Sequence, residues 1–326
     1  MDRGQGSGAG GQVPATGTGA EITSAPLPPK EVLGVVDGGP GENGKQRGLK
    51  GAGAVSATVS YILMVALAVC MIAPFVWMVI TSLHPSKGVL PDPSHLFPNR
   101  WHWENYWTVL TMPDTPIARY FFNTTFVCIS VVAGSLLFNS MAAYGFARTE
   151  FKGRDLLFYA FLATMMVPGA VTMIPVFLIV RSLGWLDTYY ALIVPGLSSA
   201  FGIFLLRQFF MTLPKELDDA ARLDGCSEAA IYWRIALPLS GPALATLAAF
   251  TFIGTWTDFF GPLIYTSSTS MHTLEVGLAV FKDAFGGSNW PLQMTAAVIV
   301  LIPCLLIFLF TQRFFVKGIT MTGLKG

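Results

Sequence analysis

The sequence predicts an all-α protein that crosses a membrane six times, and three observations predict it. The 326 residues are 53% hydrophobic and only 12% charged, whereas a soluble domain carries about 25% charged residues, and mean hydropathy is +0.57. Apolar stretches recur along the chain, each long enough to cross a hydrocarbon core of about 30 Å, which takes roughly 20 helical residues. Lysine and arginine collect at alternate ends of those stretches, as they do where loops on one side of a membrane stay in the cytoplasm.

The chain begins with a segment rich in Gly, Pro, Ser and Thr. A disordered tail is expected over residues 1–54, because such a composition buries too little apolar surface to order the backbone. It contains Gly39-Pro40-Gly41-Glu42-Asn43-Gly44-Lys45, the start of a phosphate-loop pattern. Gln46 stands where Ser or Thr would hold magnesium, and no strong helix start follows. The spacing is therefore read as coincidence of composition.

Six spans are expected in a permease-like domain of residues 55–317, followed by a tail of 318–326: Val59–Ser82, Tyr120–Phe146, Leu156–Val180, Tyr189–Phe210, Leu237–Tyr265 and Met294–Phe315. Pro74, Pro168, Pro175, Pro195, Pro262 and Pro303 fall in or beside them. In lipid, such prolines kink helices whose freed carbonyls find other partners, and Pro168 and Pro175 are expected to bracket a bend. Lys45, Arg47, Lys50, Arg148, Lys152, Arg154, Arg207, Lys215, Arg222, Arg234, Arg313, Lys317 and Lys325 mark one side. Both termini are accordingly expected in the cytoplasm. The opposite side has the long loop 83–119, where Trp101, Trp103, Tyr106 and Trp107 form an aromatic cluster suited to the membrane interface or to docking of an external partner.

Chemistry-bearing residues are sparse. A net charge of +1 provides no field toward nucleic acid. Cys70, Cys128, Cys226 and Cys304 lack metal-ligand or disulfide spacing and read as apolar filler. His84, His95, His102 and His272 fall in external segments without ligand spacing, so neither a metal site nor catalytic residues are expected. Polar residues within spans are functional candidates by default. Asn123, Asn139, Thr164, Trp256 and Asp258 are the candidates for a solute pathway, with interhelical hydrogen bonding as the alternative for both asparagines.

The most informative segment is Leu213-Pro214-Lys215-Glu216-Leu217-Asp218-Asp219-Ala220-Ala221-Arg222-Leu223-Asp224-Gly225. Pro214 suits a helix start, the acidic residues complement the positive helix end, and Gly225 suits a left-handed stop. Leu217, Ala220 and Ala221 are expected on one face. Ser227 is expected to cap a second short helix with Ala229, Ala230, Ile231 and Trp233. Such a helix–turn–helix is either an amphipathic loop folded on the protein's own base or a docking surface.

Its spacing resembles the EAA loop of bacterial ABC importer permeases, E-A-A-x3-G-x9-I-x-L-P. Asp219-Ala220-Ala221 stands for E-A-A, with Gly225, Ile235, Leu237 and Pro238 in register and Asp in place of Glu. Ala143-Tyr144-Gly145-Phe146-Ala147-Arg148, Met165-Met166-Val167-Pro168, Trp256-Thr257-Asp258-Phe259-Phe260-Gly261-Pro262 and the tail Gly318–Gly326 resemble carbohydrate permeases of the maltose-transporter inner-subunit type. Thr257 replaces the usual Asn. The likeness covers about residues 55 to 326.

The resemblance implies a type I ABC importer fold and a multi-pass subunit of a bacterial plasma membrane. It implies a second homologous permease, a dimer of cytoplasmic ATPase subunits that hold ATP and magnesium, and an extracytoplasmic sugar-binding protein, periplasmic or lipid-anchored. No cofactor is expected on this chain. Glu216, Asp219, Ala220, Ala221, Gly225, Ile235, Leu237 and Pro238 would form the ATPase-docking loop, and the tail would also reach the ATPase. Glycerol phosphate is an alternative solute. A secondary transporter is disfavoured, because the span interiors lack coupling carboxylates apart from peripheral Asp258.

Overall fold

The computed structural model describes residues 42–86, 97–113, 115–284 and 289–322. Among these, every regular element is helical. The chain divides into two units, Met1–Leu67 and Ala68–Gly326. Helix α1, Glu42–Ser82, crosses the boundary between them. Its start lies well before the expected Val59, so residues 42–54 are helical rather than disordered. The earlier part of that tail, including Gly39–Gly41 of the phosphate-loop pattern, lies outside the described residues. Apolar residues from Val59 to Val76 are exposed, as suits a helix that meets lipid.

The external loop contains helix α2, Glu104–Thr111. Asn105 anchors it by donating to the carbonyls of Ser82 (2.7 Å) and His84 (2.8 Å). Trp101, Trp103 and Trp107 remain exposed, while the Tyr106 hydroxyl reaches Ser82 Oγ at 2.9 Å. His95 lies outside the described residues.

Helix α3, Ile117–Arg148, is the axis of the larger unit. It packs most extensively on α7, Ala200–Thr212, and α11, Gly241–Trp256. Two cores form along it. One, near Arg148, joins Tyr144, Phe146, Phe158, Leu206, Phe210, Ile231, Tyr232 and Leu247. The other, near Ile117, joins Tyr120, Cys128, Trp256, Leu274, Phe281 and Leu292. Close approach to α7 depends on Gly202: a Cβ there would lie 2.9 Å from Asn139 Nδ2.

The expected third span is two helices, α4, Arg154–Thr164, and α5, Gly169–Ser182, bent by 102°. The bend precedes Pro168 instead of lying between Pro168 and Pro175. Proline disfavours helical backbone at the residue before it, whereas Pro175 removes one hydrogen bond inside an otherwise continuous α5. The fourth span holds α6, Tyr189–Ile193, a 3₁₀ turn at Val194–Gly196 around Pro195, and α7; together they pass as one span, Tyr189–Thr212.

The cytoplasm-facing loop of the sequence prediction contains α8, Lys215–Leu223, α9, Glu228–Ile231, a π turn at Tyr232–Ala236, and α10, Leu237–Leu239. A 77° bend then leads into α11. The fifth span ends at Trp256 and not at Tyr265. Asp258 Oδ1 accepts from Gly261 N at 3.2 Å and begins a separate helix, α12, Phe260–Tyr265. After α13, Leu274–Ala284, helix α14 runs Trp290–Thr322. Gly318–Thr322 is therefore helical rather than tail; residues 323–326 lie outside the described residues. By length and composition four helices can each cross a membrane, or six if each bent pair counts as one span. The six-span prediction requires both bent pairs to cross.

Candidate functional site

Pro214 precedes α8 with extended backbone, and Glu216 and Asp218 lie in the first helical turn, where negative charge meets the positive helix end. Gly225 has φ +80°, a conformation that costs an L-residue side chain but not glycine. Ser227 Oγ accepts from Ala230 N at 3.3 Å and caps α9. The local geometry read from the sequence is thus present at Pro214, Gly225 and Ser227.

The faces of α8 divide differently from the expectation. Ala221 is buried against the protein's own base together with Asp218, so it does not share an open face with Leu217 and Ala220. The open face comprises Glu216, Leu217, Asp219, Ala220, Leu223 and Asp224. Leu223 is 89% exposed, an unshielded apolar side chain that sequence reading passed over. Its signal is the i, i+3, i+6 series Leu217, Ala220, Leu223, which a helix places along one side. Ile235 and Leu237 are half-buried and pack on the Tyr144–Tyr232 core, while Pro238 is exposed. The first two therefore fix the loop to its base.

Asp219 Oδ1 accepts from Arg222 Nη1 at 2.9 Å, and Arg222 Nε donates to Glu228 Oε1 at 2.8 Å. The Glu228 carboxylate beside Arg222, followed by Asp219, holds the guanidinium pKa above its ordinary value. These groups are open to solvent, so the pairs order the turn more than they stabilise it. Beneath them, Arg148 Nη1 donates to Asp218 Oδ2 at 3.0 Å, with side-chain exposures of 3% and 7%. Sequence reading missed this pair. The hint was an acidic residue, Asp218, three positions before Ala221 on the buried side.

The proposed pathway residues behave unequally. Asn123 donates to the Ser270 and His272 carbonyls, both at 2.9 Å, and accepts from the Tyr189 hydroxyl at 2.7 Å. Asn139 donates to Ser135 Oγ at 2.7 Å and accepts from Ser199 N at 2.9 Å. Trp256 is buried against Phe252 and Phe121 and donates to the Val300 carbonyl at 3.1 Å. All three side chains are occupied with holding helices together, which corrects the pathway expectation for them. Thr164 is exposed and bonds the Phe161 carbonyl at 2.6 Å. Asp258 alone of the set is exposed and lines a cavity of about 280 Å³, with Thr124, Thr255, Tyr265 and Thr273.

Comparison with known proteins agrees with this architecture. The chain is 39% identical over 207 residues to the arabinooligosaccharides transport system permease protein AraQ of Halalkalibacterium halodurans, covering 64% of this chain and 74% of that one. It is 34% identical over 262 residues to the trehalose/maltose transport system permease protein MalG of Thermococcus litoralis, covering 80% and 94%. Its fold is similar to a chain in the crystal structure of a bacterial ABC transporter involved in the import of the acidic polysaccharide alginate, with TM-score 0.70, 26% identity, and coverage of 81% and 98%. The pattern of one family matches residues 135–321, from the middle of α3 into the end of α14. With α8, Gly225 and α9 inside that match, the chain belongs to the family of binding-protein-dependent transport system inner membrane components.

Proposed function

We propose that this chain is the membrane permease subunit of an ATP-driven importer for a sugar or oligosaccharide. It forms the pathway with a second permease, takes its solute from an extracytoplasmic binding protein, and is driven by a separate ATPase dimer that holds ATP and magnesium. The chain itself performs no covalent chemistry. The observation that carries this reading is the open face of α8. Leu217, Ala220 and Leu223 lie unshielded on a short helix whose opposite face is fixed by Asp218 and Ala221. An apolar face on a firmly seated helix suits a cleft in another protein. Glu216 and Asp219 border it, and Gly225 sets the turn that presents it. The carbohydrate class is supported by the names of the relatives.

Orientation follows from the charges. Arg148 ends α3, Arg154 opens α4, Arg207 lies in the last turns of α7 and Arg222 in α8, so one end of the bundle is basic. That end is placed in the cytoplasm, together with both termini, and the Trp101–Trp107 segment faces outward. Import then requires that ATP and the loaded binding protein favour one arrangement of the helices over the other.

Co-purification with the ATPase tests the docking face. Leu223→Glu and Asp219→Lys are expected to reduce association and solute-stimulated ATP hydrolysis. Undiminished association and hydrolysis in both variants would sink the docking assignment. Uptake of labelled maltose, arabinooligosaccharide and glycerol phosphate by the reconstituted complex tests the solute class; uptake of glycerol phosphate alone overturns the carbohydrate reading.

A further inference from the structure

Two arginines close the basic end of the bundle by exchanging places. Arg148, the last residue of α3, donates through Nε to the Phe210 carbonyl of α7 at 3.0 Å and through Nη2 to the Leu213 carbonyl at 2.6 Å. Arg207, on α7, donates through Nε to the Phe146 carbonyl of α3 at 3.2 Å. Each helix therefore receives a guanidinium from the other where its own last carbonyls lack intrahelical partners and where the helix dipole is negative. Arg207 also lies 4.0 Å above the Phe158 ring of α4, and its Nη2 is 3.6 Å from Asp155. The remaining arm of Arg148 holds Asp218 of α8.

We propose that Arg148 is a positioning residue for transport: through Asp218 it makes α8 move with α3 and α7 as one body, so that displacement of α8 by the ATPase reaches the membrane helices undiminished. The inference rests on the importer reading above. Its physical content lies in the fork. A guanidinium offers five donors in a fixed plane, and here three of its N–H groups join three elements at once. Burial keeps the Arg148–Asp218 attraction from the screening that weakens the neighbouring surface pairs. The ties to α9 are weaker by comparison. The Tyr144 hydroxyl donates to Glu228 Oε2 at 3.3 Å, and Glu228 is shared with exposed Arg222. The seat of the open face thus has one stiff link, at Asp218, and one compliant link, at Glu228.

The test uses the complete transporter in proteoliposomes, with the binding protein present, and measures ATP hydrolysed per solute imported. Asp218→Asn leaves an amide oxygen that can accept from Arg148 but removes the charge assistance. Arg148→Lys keeps the charge but cannot serve three acceptors in one plane. Both variants are expected to assemble with the ATPase while the ATP-per-solute ratio rises roughly fivefold or more, the scale of a typical coupling free energy between sites. Spin labels on Leu223→Cys and on Phe122→Cys, at the two ends of the structure, provide a readout that fold stability alone does not move. Their ATP-dependent distance changes to a label on the ATPase are expected to match in the native background. In Asp218→Asn the change at position 122 is expected to shrink while that at 223 persists. An unaltered ratio with unaltered distance changes in both variants overturns the proposal and leaves the importer reading intact. Transport and hydrolysis falling together, in proportion to assembled complex, also overturns it, since that is what a purely structural role produces. Failure of the native chain to associate with any ATPase would defeat the importer reading itself.

Discussion

The two ends of α3 are both closed by buried polar side chains, yet they use different chemistry. At the Arg148 end, a charged fork binds a carboxylate and two carbonyls. At the Asn123 end, a neutral amide binds two carbonyls and a hydroxyl, and the Thr124 hydroxyl accepts from Leu274 N at 2.8 Å. A buried ion that loses its partner is far more costly than a buried amide that loses one. The first end is consequently all-or-none, the second forgiving. An end that must transmit displacement benefits from the first property, and an end that only closes a bundle does well with the second.

The contrast is sharpest in Arg148→Ala, which leaves Asp218 buried without its partner. A loss of roughly 3–5 kcal/mol is expected, read as a lowered melting temperature in detergent. Asn123→Leu is expected to cost less, about 1–3 kcal/mol for acceptors left unpaired; a cost equal to that of Arg148→Ala would erase the distinction between the ends. Gly225→Ala forces a Cβ into a left-handed position and is expected to cost about 1–2 kcal/mol, measured in the same melting series. Ser227→Ala removes the cap on α9 at about 1 kcal/mol. Proteolysis between α9 and α11 should rise in this variant while the Asn123 end stays protected.

The smallest effect concerns Asp187, which accepts from Ser267 N and Ser268 N, each at 3.0 Å. Those bonds, Ser268 first, hold its carboxyl below the usual carboxylate range. A depressed folded-state pKa contributes stability above the unfolded value, near 3.9 for Asp, and that stability disappears as pH falls through the folded value. Protease sensitivity of the 266–271 segment is expected to rise below about pH 4 in the native protein. In Asp187→Asn it should no longer change with acid. Persistence of the acid response in that variant assigns it to another group.

Much of the architecture was legible because hydropathy and proline act locally. Spans around Tyr120–Phe146 and Tyr189–Phe210 correspond to α3 and to α6 with α7. Gly225 and Ser227 could be read from the backbone conformation their residue types favour. The register of faces could not. Whether Ala221 or Leu223 lies outward depends on which side Arg148 occupies, and that partner is far away in sequence. The pathway candidates Asn123, Asn139 and Trp256 failed for a related reason. A polar side chain in a span is conspicuous, but its partners are backbone carbonyls and amides or common side chains on other helices, which composition does not reveal. The breaks at Met165–Pro168 and Thr257–Phe259 were displaced because the decisive event was where a helix could begin again, at Gly169 and, with Asp258 as cap, at Phe260.

The π turn at Tyr232–Ala236 has a bearing on sequence length as such. It accommodates one residue more than an α-helix would over the same rise. Each residue of helix advances the angle around its axis by about 100°. Deleting one residue from 232–236 would therefore rotate Gly241–Trp256 about its own axis by about that amount relative to the seat of α8. Side chains now turned toward α3, such as Leu247, would face elsewhere. The fixed interval between Gly225 and Ile235 acts as a phase setting, and insertions or deletions there are predicted to be far less tolerated than substitutions of the same residues.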